Sequence, residues 1–271
     1  MSLDDLPPLR ESLAAAGLTA RKSFGQHFLL DLNITRKIVR LAELAAGETV
    51  VEIGPGPGGL TRALLESGLA VVAVEKDPRF LPLLEDLAAH AGGRLTLLRA
   101  DALKLEPSDL PARASVVANL PYNVGTPLLI GWLTGRWRPT AMTLMFQKEV
   151  ADRIVAPAGS EAYGRLSVIA QAMCEARILM DLPASAFVPS PKVASAVVRL
   201  TPRPGAPDDA LAMRLQRVTA AAFGQRRKML RSSLRGVGGE ALCEAANVTP
   251  TARAEELTVA EFLALASASG D

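Results

Sequence analysis

Short runs of β-branched and other apolar residues alternate with stretches of helical periodicity between residues 48 and 146. Five such runs predict strands: Thr49 to Ile53, Ala70 to Val74, Arg94 to Leu98, Ser115 to Ala118 and Thr140 to Phe146. Between them, leucines recur at the spacing of one helix face, as at Leu60, Leu64 and Leu65. This alternation predicts an α/β fold, in which helices cover both faces of a Rossmann-like parallel sheet.

The pattern changes near residue 200. Two more strand-like stretches, around Arg177 to Met180 and Ala194 to Leu200, are expected to extend one edge of the sheet. Turn-forming residues then run from Thr201 to Asp209, and only helical patterns follow, at about 209–223, 225–235, 239–246 and 258–268. We predict two domains, residues 1–205 and residues 206–271, of which the second is small and all-helical.

A loop and a helix are predicted ahead of the sheet. Asp31 or Asn33 can cap a helix that contains Ile34, Ile38 and Val39. Residues 19–30 are expected to form an ordered loop before it.

Composition narrows the class of protein. Mean hydropathy is +0.22, yet no apolar run reaches the roughly 20 residues that a spanning helix needs. Asp4, Asp5 and Glu11 precede any apolar stretch, which is atypical of a cleaved signal peptide. The two cysteines, Cys174 and Cys243, and the two histidines show no metal-ligand spacing. We therefore expect a cytoplasmic protein that uses no metal ion.

Charge is distributed unevenly along the chain. The formal net charge is only +2, but seven basic residues and no acid lie between Leu211 and Gly239, which leaves −5 for the rest of the chain. Such a segment is typical of a phosphate-binding face. Helices with solvated basic outer faces would give the same pattern, so charge alone leaves both interpretations open.

A glycine-rich turn follows the first strand of the sheet. Residues 50–61 read VVEIGPGPGGLT, a strand that enters a turn and then opens a helix. Glycines permit a tight turn and a close approach of the backbone to a ligand. The next strand ends in Glu75, 21 residues beyond Gly54, where a carboxylate can accept both hydroxyls of a ribose. These features predict a nucleoside-binding site.

The same region indicates which kind of nucleoside is bound. The turn from Gly54 to Gly58 lacks the Gly-x-Gly-x-x-Gly spacing of dinucleotide sites. Asp101 follows the next strand, where it can accept a hydrogen bond from an adenine amino group or simply cap the segment after it. Acids at the ends of successive strands favour a nucleoside without phosphate. S-adenosylmethionine fits this description.

Asn119-Leu120-Pro121-Tyr122 follows the fourth predicted strand and is similar to the Asn/Asp-Pro-Pro-Tyr/Phe motif of amino-methyltransferases. An exocyclic amine is a poor nucleophile. If the Asn119 side-chain oxygen and the Leu120 carbonyl accept its two N–H bonds, electron density moves toward the nitrogen. Tyr122 can stack on the base. Asn and Pro also favour ordinary turns, so the motif gains its meaning from the cofactor-type features before it.

Phe187 is the second candidate for the base site. It begins the segment Phe187-Val-Pro-Ser-Pro-Lys192, between the two late strands, where an exposed ring could hold adenine against Tyr122. A core phenylalanine beneath the loop is the alternative, and it is the common fate of a lone Phe.

Seven segments occur in order along the chain: Phe24 to Leu29, the Gly54 turn, Asn119 to Pro127, Gln147 to Val150, Ala162 to Ser167, Phe187 to Val193 and Ala222 to Lys228. Together they resemble the ribosomal RNA adenine dimethylase family, in its bacterial small-subunit branch. The resemblance extends from about Arg21 to Leu257. It implies a class I methyltransferase that uses S-adenosylmethionine. The implied reaction is N6,N6-dimethylation of two adjacent adenosines in a hairpin loop near the 3′ end of 16S rRNA, within an assembling small subunit.

The resemblance also implies roles for individual residues. The cofactor residues would be His27, Leu29, Gly54, Glu75, Asp101 and Asn119, and the catalytic residues Asn119, Leu120, Tyr122 and Phe187. Family members often have Asn where this chain has His27, a departure that introduces a titratable group. The basic residues Arg226, Arg227, Lys228 and Arg231 would contact rRNA phosphates. A monomer would suit so large a substrate.

Three rival functions remain at this point. A resistance methylase that modifies an adenine of 23S rRNA shares the glycine-rich turn and the Asn-x-Pro-Tyr motif. A ribosome assembly factor in which catalysis is secondary would keep the same fold. A dinucleotide-dependent oxidoreductase would leave the motif from Asn119 to Tyr122 without a role.

Overall fold

The computed structural model describes residues 2–20 and 26–270. Its strands are β1 (Phe28–Leu29), β2 (Thr49–Ile53), β3 (Ala70–Glu75), β4 (Leu95–Arg99), β5 (Ser115–Asn119), β6 (Met142–Gln147), β7 (Cys174–Leu182), β8 (Phe187–Val188) and β9 (Ser195–Pro202). Its α-helices are α1 (Leu9–Ala15), α2 (Leu32–Leu41), α3 (Gly59–Glu66), α4 (Leu81–His90), α5 (Gly125–Thr134), α6 (Lys148–Val155), α7 (Arg165–Met173), α8 (Asp209–Gly224), α9 (Leu230–Ser233), α10 (Gly239–Ala245) and α11 (Val259–Ala268).

Seven strands form one sheet in the order β4-β3-β2-β5-β6-β9-β7. β2 runs parallel to β3 and β5, and the pairs β3–β4 and β5–β6 are also parallel. All seven predicted strands are present, and the two late ones extend the β6 edge as expected. The prediction of a Rossmann-like α/β fold is confirmed.

The central strands are buried, as a parallel sheet covered on both faces requires. Val50 and Val51 in β2, and Val116 and Val117 in β5, are inaccessible to solvent. This is why these strands appear in the sequence as continuous apolar runs. Glu52 interrupts the run in β2, and it is buried as well, at 1% exposure.

The winding of the chain creates a crevice at one end of the sheet. From β2 the chain proceeds outward through α3, β3, α4 and β4, and β5 then returns to the other side of β2. In open α/β sheets, ligands bind at the carboxyl ends of the strands where the direction of winding reverses. Here the segments after β2 and β5 meet that description.

The short pairing of β1 with β8 was not predicted. The two strands are antiparallel, with Phe28 opposite Val188 and Leu29 opposite Phe187. A two-residue strand carries no periodicity, so the sequence gives no sign of it. Of the loop predicted at 19–30, residues 21–25 lie outside the described residues. The predicted cap of α2 is confirmed, because Asp31 Oδ1 accepts the Asn33 N–H at 2.8 Å.

The chain divides into two compact units. The first consists of Met1–Leu129, Pro139–Lys148 and Ile178–Arg199, and the second of Ile130–Arg138, Glu149–Arg177 and Leu200–Asp271. The second unit thus contains, besides the chain after residue 205, two earlier segments that the sequence assigned to the first domain. The predicted division at residue 205 stays a prediction.

The second unit has an apolar core of its own, with Leu215, Val218, Leu242, Phe262 and Leu265 among its members. Three predicted helices appear within a residue of their expected limits, as α8, α10 and α11. The predicted helix over 225–235 is wrong in its first half, since α9 covers only Leu230–Ser233. Residues 225–229 are all exposed, so a helix there would have no apolar face to bury.

Within the described ranges, no helix has both the length and the apolar character needed to cross a membrane. The same residues contain no cluster of His, Cys, Asp and Glu suited to a metal ion. Cys174 and Cys243 are buried and unpaired with one another.

Candidate active site

A cavity opens in the first unit, where the ends of β2, β3 and β5 and the segment after β4 meet. It is lined by residues 26–29, 52–57, 59–60, 74–77, 100–103 and 119–124. Eight of the residues predicted from the sequence are among them: His27, Leu29, Gly54, Glu75, Asp101, Asn119, Leu120 and Tyr122. Residues far apart in the sequence are thus brought to one place by the parallel sheet.

The glycine-rich turn between β2 and α3 depends on glycine for two reasons. Gly56 has a φ of +54°, a conformation that side chains disfavour. At Gly59, a Cβ atom would lie 2.7 Å from the Leu29 carbonyl oxygen. The turn therefore packs directly against β1, which carries the predicted residue Leu29.

Glu75 ends β3 and is 6% exposed. Its Oε2 accepts the Gly56 N–H at 3.0 Å, and its Oε1 accepts the Asp77 N–H at 2.7 Å. Burial raises the pKa of Glu75, while these backbone hydrogen bonds oppose the rise. Each carboxylate oxygen has a second lone pair, so the group can still accept ligand hydroxyls.

Asp101 caps the segment after it and also lines the cavity, while its contact with an adenine amino group stays a prediction. Its Oδ1 accepts the Leu103 N–H at 3.1 Å and so caps the short 3₁₀ turn that follows. Its Oδ2 accepts a hydrogen bond from Lys76 Nζ at 2.7 Å, and this ammonium group lowers the pKa of Asp101. Because Asp101 also lines the cavity, capping does not remove it from the site.

Asn119 is held by one end of its amide. The Nδ2 group donates to the His27 carbonyl at 3.0 Å. This contact leaves the side-chain oxygen as the end available to a substrate amine. Leu120 follows with its side chain buried at 2% exposure, which anchors the backbone whose carbonyl the amine would also meet.

Tyr122 and His27 support one another. Their rings stack with centroids 5.4 Å apart and an angle of 29° between the planes. The Tyr122 hydroxyl is hydrogen-bonded to Ser195 Oγ at 2.8 Å, and His27 Nδ1 donates to the Pro189 carbonyl at 2.8 Å. Burial raises the pKa of Tyr122, so its hydroxyl stays protonated. Both rings are therefore fixed at their polar ends, His27 by Pro189 in the segment after β8 and Tyr122 by Ser195 at the start of β9.

Phe187 does not present the exposed ring expected of it. It is 2% exposed and packs in the core of the first unit with Leu29 and Leu182. It does not belong to the cavity lining. The expectation of an exposed ring is wrong, because the pairing of β8 with β1 turns this apolar side chain into the core. Its assignment to catalysis stays a prediction.

The predicted RNA-contacting residues lie in the second unit. Arg226 Nε forms an ion pair with Glu255 at 2.6 Å, and its guanidinium also donates to the Glu161 carbonyl at 2.9 Å. Arg227, Lys228 and Arg231 are exposed. Arg226 thus has a structural contact that the other three lack within the described part of the chain.

Two residues of the site were not identified from the sequence. Glu52 lines the cavity, and the signal for it was a single charge inside an otherwise apolar strand. Ser195 holds Tyr122, and no pattern in the sequence indicates this contact, since it joins residues 73 positions apart.

The donor and acceptor set fits a cationic nucleoside better than a pyrophosphate. The lining contains four acidic side chains, those of Glu52, Glu75, Asp77 and Asp101, and one Lys. The Gly56 N–H, which a phosphate-binding turn would present to its ligand, is engaged by Glu75. The residues present therefore suit S-adenosylmethionine, whose sulfonium is positive and which carries no phosphate.

The family model described as ribosomal RNA adenine dimethylase matches residues 17–269. The chain is 64% identical over 270 residues to Ribosomal RNA small subunit methyltransferase A of Phenylobacterium zucineum, covering 99% of this chain and 94% of that protein. It is 67% identical over 251 residues to the protein of the same name from Caulobacter vibrioides, covering 92% and 97%.

Two solved structures are similar over most of the chain. A dimethyladenosine transferase from Plasmodium falciparum superposes with a TM-score of 0.75 at 24% identity, covering 88% of this chain and 96% of that one. The 23S rRNA methyltransferase ErmE superposes with a TM-score of 0.67 at 27% identity, covering 89% and 99%. The first of these likenesses concerns the fold alone.

Proposed function

Because this chain belongs to the ribosomal RNA adenine dimethylase family, we propose that it dimethylates N6 of two adjacent adenosines near the 3′ end of 16S rRNA. S-adenosylmethionine is the methyl donor, and the substrate is an assembling small subunit on which the enzyme acts as a monomer. The observation that carries the proposal is the orientation of Asn119. Its amide nitrogen donates to the His27 carbonyl, so its oxygen is left to accept from an amine.

The cofactor is bound by residues at the strand ends. Glu75 accepts the ribose hydroxyls, and Asp101 accepts from the adenine amino group of the cofactor. The Gly54 turn and Leu29 allow close approach of the backbone. When bound there, S-adenosylmethionine would supply an electrophilic methyl group, with its sulfonium sulfur as the leaving group.

The substrate amine is positioned by Asn119 and Leu120. When the Asn119 oxygen and the Leu120 carbonyl accept its two N–H bonds, the nitrogen lone pair is available for the new N–C bond. The amine then loses one proton to solvent. Tyr122 stacks on the base, and because His27 already covers one of its faces, the base takes the other.

The basic residues of the second unit hold the rRNA. Arg227, Lys228 and Arg231 contact phosphates, which sets the position of the RNA without reading its sequence. Arg226 also belongs to this set, although its ion pair with Glu255 gives it a second role.

Methyl transfer to ribosomal subunits tests the proposal. Small subunits from a strain that lacks the modification are incubated with labelled S-adenosylmethionine, and large subunits are treated in parallel. We expect label on the small subunits only, approaching two methyl groups on each of two adjacent adenosines near the 3′ end of 16S rRNA.

Other outcomes would assign the enzyme differently. Label on large subunits would make it a 23S rRNA methyltransferase, the activity named for ErmE. Cofactor binding without label on either subunit would contradict the proposed substrate. Binding to small subunits without cofactor binding would leave an assembly factor.

A further inference from the structure

Glu52 is a carboxyl group buried at the cofactor cavity without a partner for one of its oxygens. It is 1% exposed and lines the cavity. Its Oε2 has no partner at hydrogen-bond distance. The hydroxyl of Thr61, a buried residue of α3, is likewise without a partner at that distance, but Thr61 lies near enough to Glu52 to lower the pKa of its carboxyl group. Buried polar atoms are almost always hydrogen-bonded. An unsatisfied carboxyl oxygen beside a ligand cavity therefore calls for a functional explanation.

The surroundings of Glu52 favour its neutral form. The pairing of β2 with β3 places Glu52 opposite Ala73, which is inaccessible to solvent, and an unpaired charge in a buried setting is costly. Burial raises the pKa of Glu52 to about 8, and the charge of Glu75 on the adjacent strand β3 adds to the rise, while Thr61 opposes it.

Lys76, which lines the cavity, and the nearby Arg79 are each paired with a carboxylate other than Glu52. Lys76 Nζ pairs with Asp101 at 2.7 Å, and the Arg79 guanidinium pairs with Asp77 at 2.5 Å. Within the described residues, neither Glu52 nor Glu75 has a cation at ion-pair distance. The other charged or titratable groups of the cavity lining are His27, Glu75, Lys76, Asp77, Asp101 and Tyr122.

We propose that Glu52 couples cofactor binding to the charge of the ligand. Its buried carboxyl keeps its proton while the cavity holds no cation, and it releases that proton to solvent when the sulfonium cofactor binds. The product, S-adenosylhomocysteine (the spent cofactor), has lost the sulfonium charge. Glu52 therefore keeps more of its proton when this product is bound than when S-adenosylmethionine is bound. The site thereby prefers the loaded cofactor over the product. This inference rests on the proposed function for the identity of the cofactor.

The coupling has a definite dependence on pH. A group whose pKa falls on binding releases protons, so affinity for the loaded cofactor rises with pH until the pKa of the free enzyme, about 8, is reached. The rise is at most about tenfold per pH unit. Affinity for the spent cofactor should rise less. At low pH the two affinities approach one another, because Glu52 is then neutral with either ligand.

Calorimetry on the full chain without RNA tests this coupling. S-adenosylmethionine and S-adenosylhomocysteine are titrated at pH 7 in buffers of different ionisation enthalpy, which counts the protons released. We expect most of one proton with the first ligand and clearly less with the second. Both ligands carry an α-amino group that titrates at about 7.7–8.0, so the difference between them cancels its contribution.

Two variants separate the proposed role from a general effect on the site. Glu52→Gln should abolish the difference in proton release between the two ligands. Its affinity for S-adenosylmethionine should equal that of the unaltered protein at low pH and become lower than it as pH rises. Asp101→Asn is the matched control, because Lys76 already keeps that carboxyl ionised. It should weaken binding and leave the proton release intact.

A second measurement needs no variant. In the infrared difference spectrum of the unaltered protein, S-adenosylmethionine should remove the band of a protonated carboxyl. Persistence of that band, or equal proton release with both ligands, would overturn the inference alone. A failure of S-adenosylmethionine to bind would overturn the proposed function together with it.

Discussion

The two compact units differ in what they bury. In the first unit, four charged side chains are nearly inaccessible: Glu52, Arg62, Glu75 and Asp77. In the second, the buried Ser and Thr side chains among the described residues are those of Thr134, Ser167, Thr219, Ser233 and Ser269. Each of these hydroxyls donates to a backbone carbonyl. Among the described residues, buried Asp, Glu and Arg residues occur in the first unit, and no charged residue of the second unit is buried to that extent.

This difference indicates where each unit carries its function. Burying an ionisable group is costly unless it is paired or hydrogen-bonded, whereas a buried hydroxyl bonded to a nearby carbonyl stabilises the fold by about 0.5–1.5 kcal/mol. In the first unit, three of the four buried charged residues, Glu52, Glu75 and Asp77, lie at a ligand cavity. The second keeps Arg227 and Lys228 on its surface. Changes in the first unit should therefore affect chemistry and pH dependence, and changes in the second should affect RNA binding or stability.

The largest effect is expected from Asn119→Ala. Loss of an oriented acceptor in an active site costs about a hundredfold or more in turnover, so methyl transfer to small subunits should fall by at least that factor. Binding of small subunits, measured by co-sedimentation, should change little. Turnover close to that of the unaltered enzyme would mean that Asn119 does not position the amine.

The second effect concerns stability against pH. The folded-state pKa of Glu52, about 8, lies above its ordinary value of 4.5, so its contribution to stability is complete below pH 4.5 and is lost as pH rises toward 8. The glutamine in Glu52→Gln does not ionise. The difference in free energy of unfolding between this variant and the unaltered protein should therefore shift in favour of the variant by roughly 1–4 kcal/mol from pH 5 to pH 8. Urea unfolding at both pH values measures the gain. Parallel curves for the two proteins would contradict the assignment.

Arg226 and Arg227 provide a matched pair in the second unit. Arg227→Ala should reduce the slope of log affinity for small subunits against log salt concentration by roughly 0.7–0.9 and leave the midpoint of thermal unfolding unchanged. Arg226→Ala removes the ion pair with Glu255, so it should lower the midpoint as well. Cofactor affinity should be unaffected in both. An equal loss of cofactor affinity would indicate a folding defect instead.

The smallest effect is expected in the core of the second unit. Thr219 Oγ1 donates to the Leu215 carbonyl at 2.7 Å, within the same helix. Thr219→Ala should reduce the free energy of unfolding by about 1 kcal/mol, equally at pH 5 and pH 8. A pH-dependent loss would break the contrast between the two units.

Much of the fold could be predicted because apolar pattern and secondary structure are linked locally. The five strands from β2 to β6 are apolar runs, and the helices between them repeat leucines on one face. The predictions of secondary structure failed where an element is too short to show a periodic pattern, or where solvent exposure determines whether a helix forms. β1 and β8 are two residues each, and residues 225–229 have helical composition but no apolar surface to bury.

The residues of the candidate site could also be predicted in part. Residues after strands were identified, because parallel strands bring their carboxyl ends to one edge. Phe187 was misjudged because an apolar ring in a loop can face either solvent or core, and only the partner strand decides which. Arg226 was grouped with its basic neighbours since charge in a sequence does not reveal an acid 29 positions away.

By itself, the sequence determined the α/β class, the glycine-rich turn and the residues at the strand ends, because these follow from local periodicity and backbone preference. Only the tertiary structure decided which end of the Asn119 amide faces the cavity, that Lys76 and Arg79 are taken by Asp101 and Asp77, and that Glu52 is buried without a cation. Those are properties of groups distant in sequence. Their protonation and orientation depend on burial and neighbours, which exist only once the chain has folded.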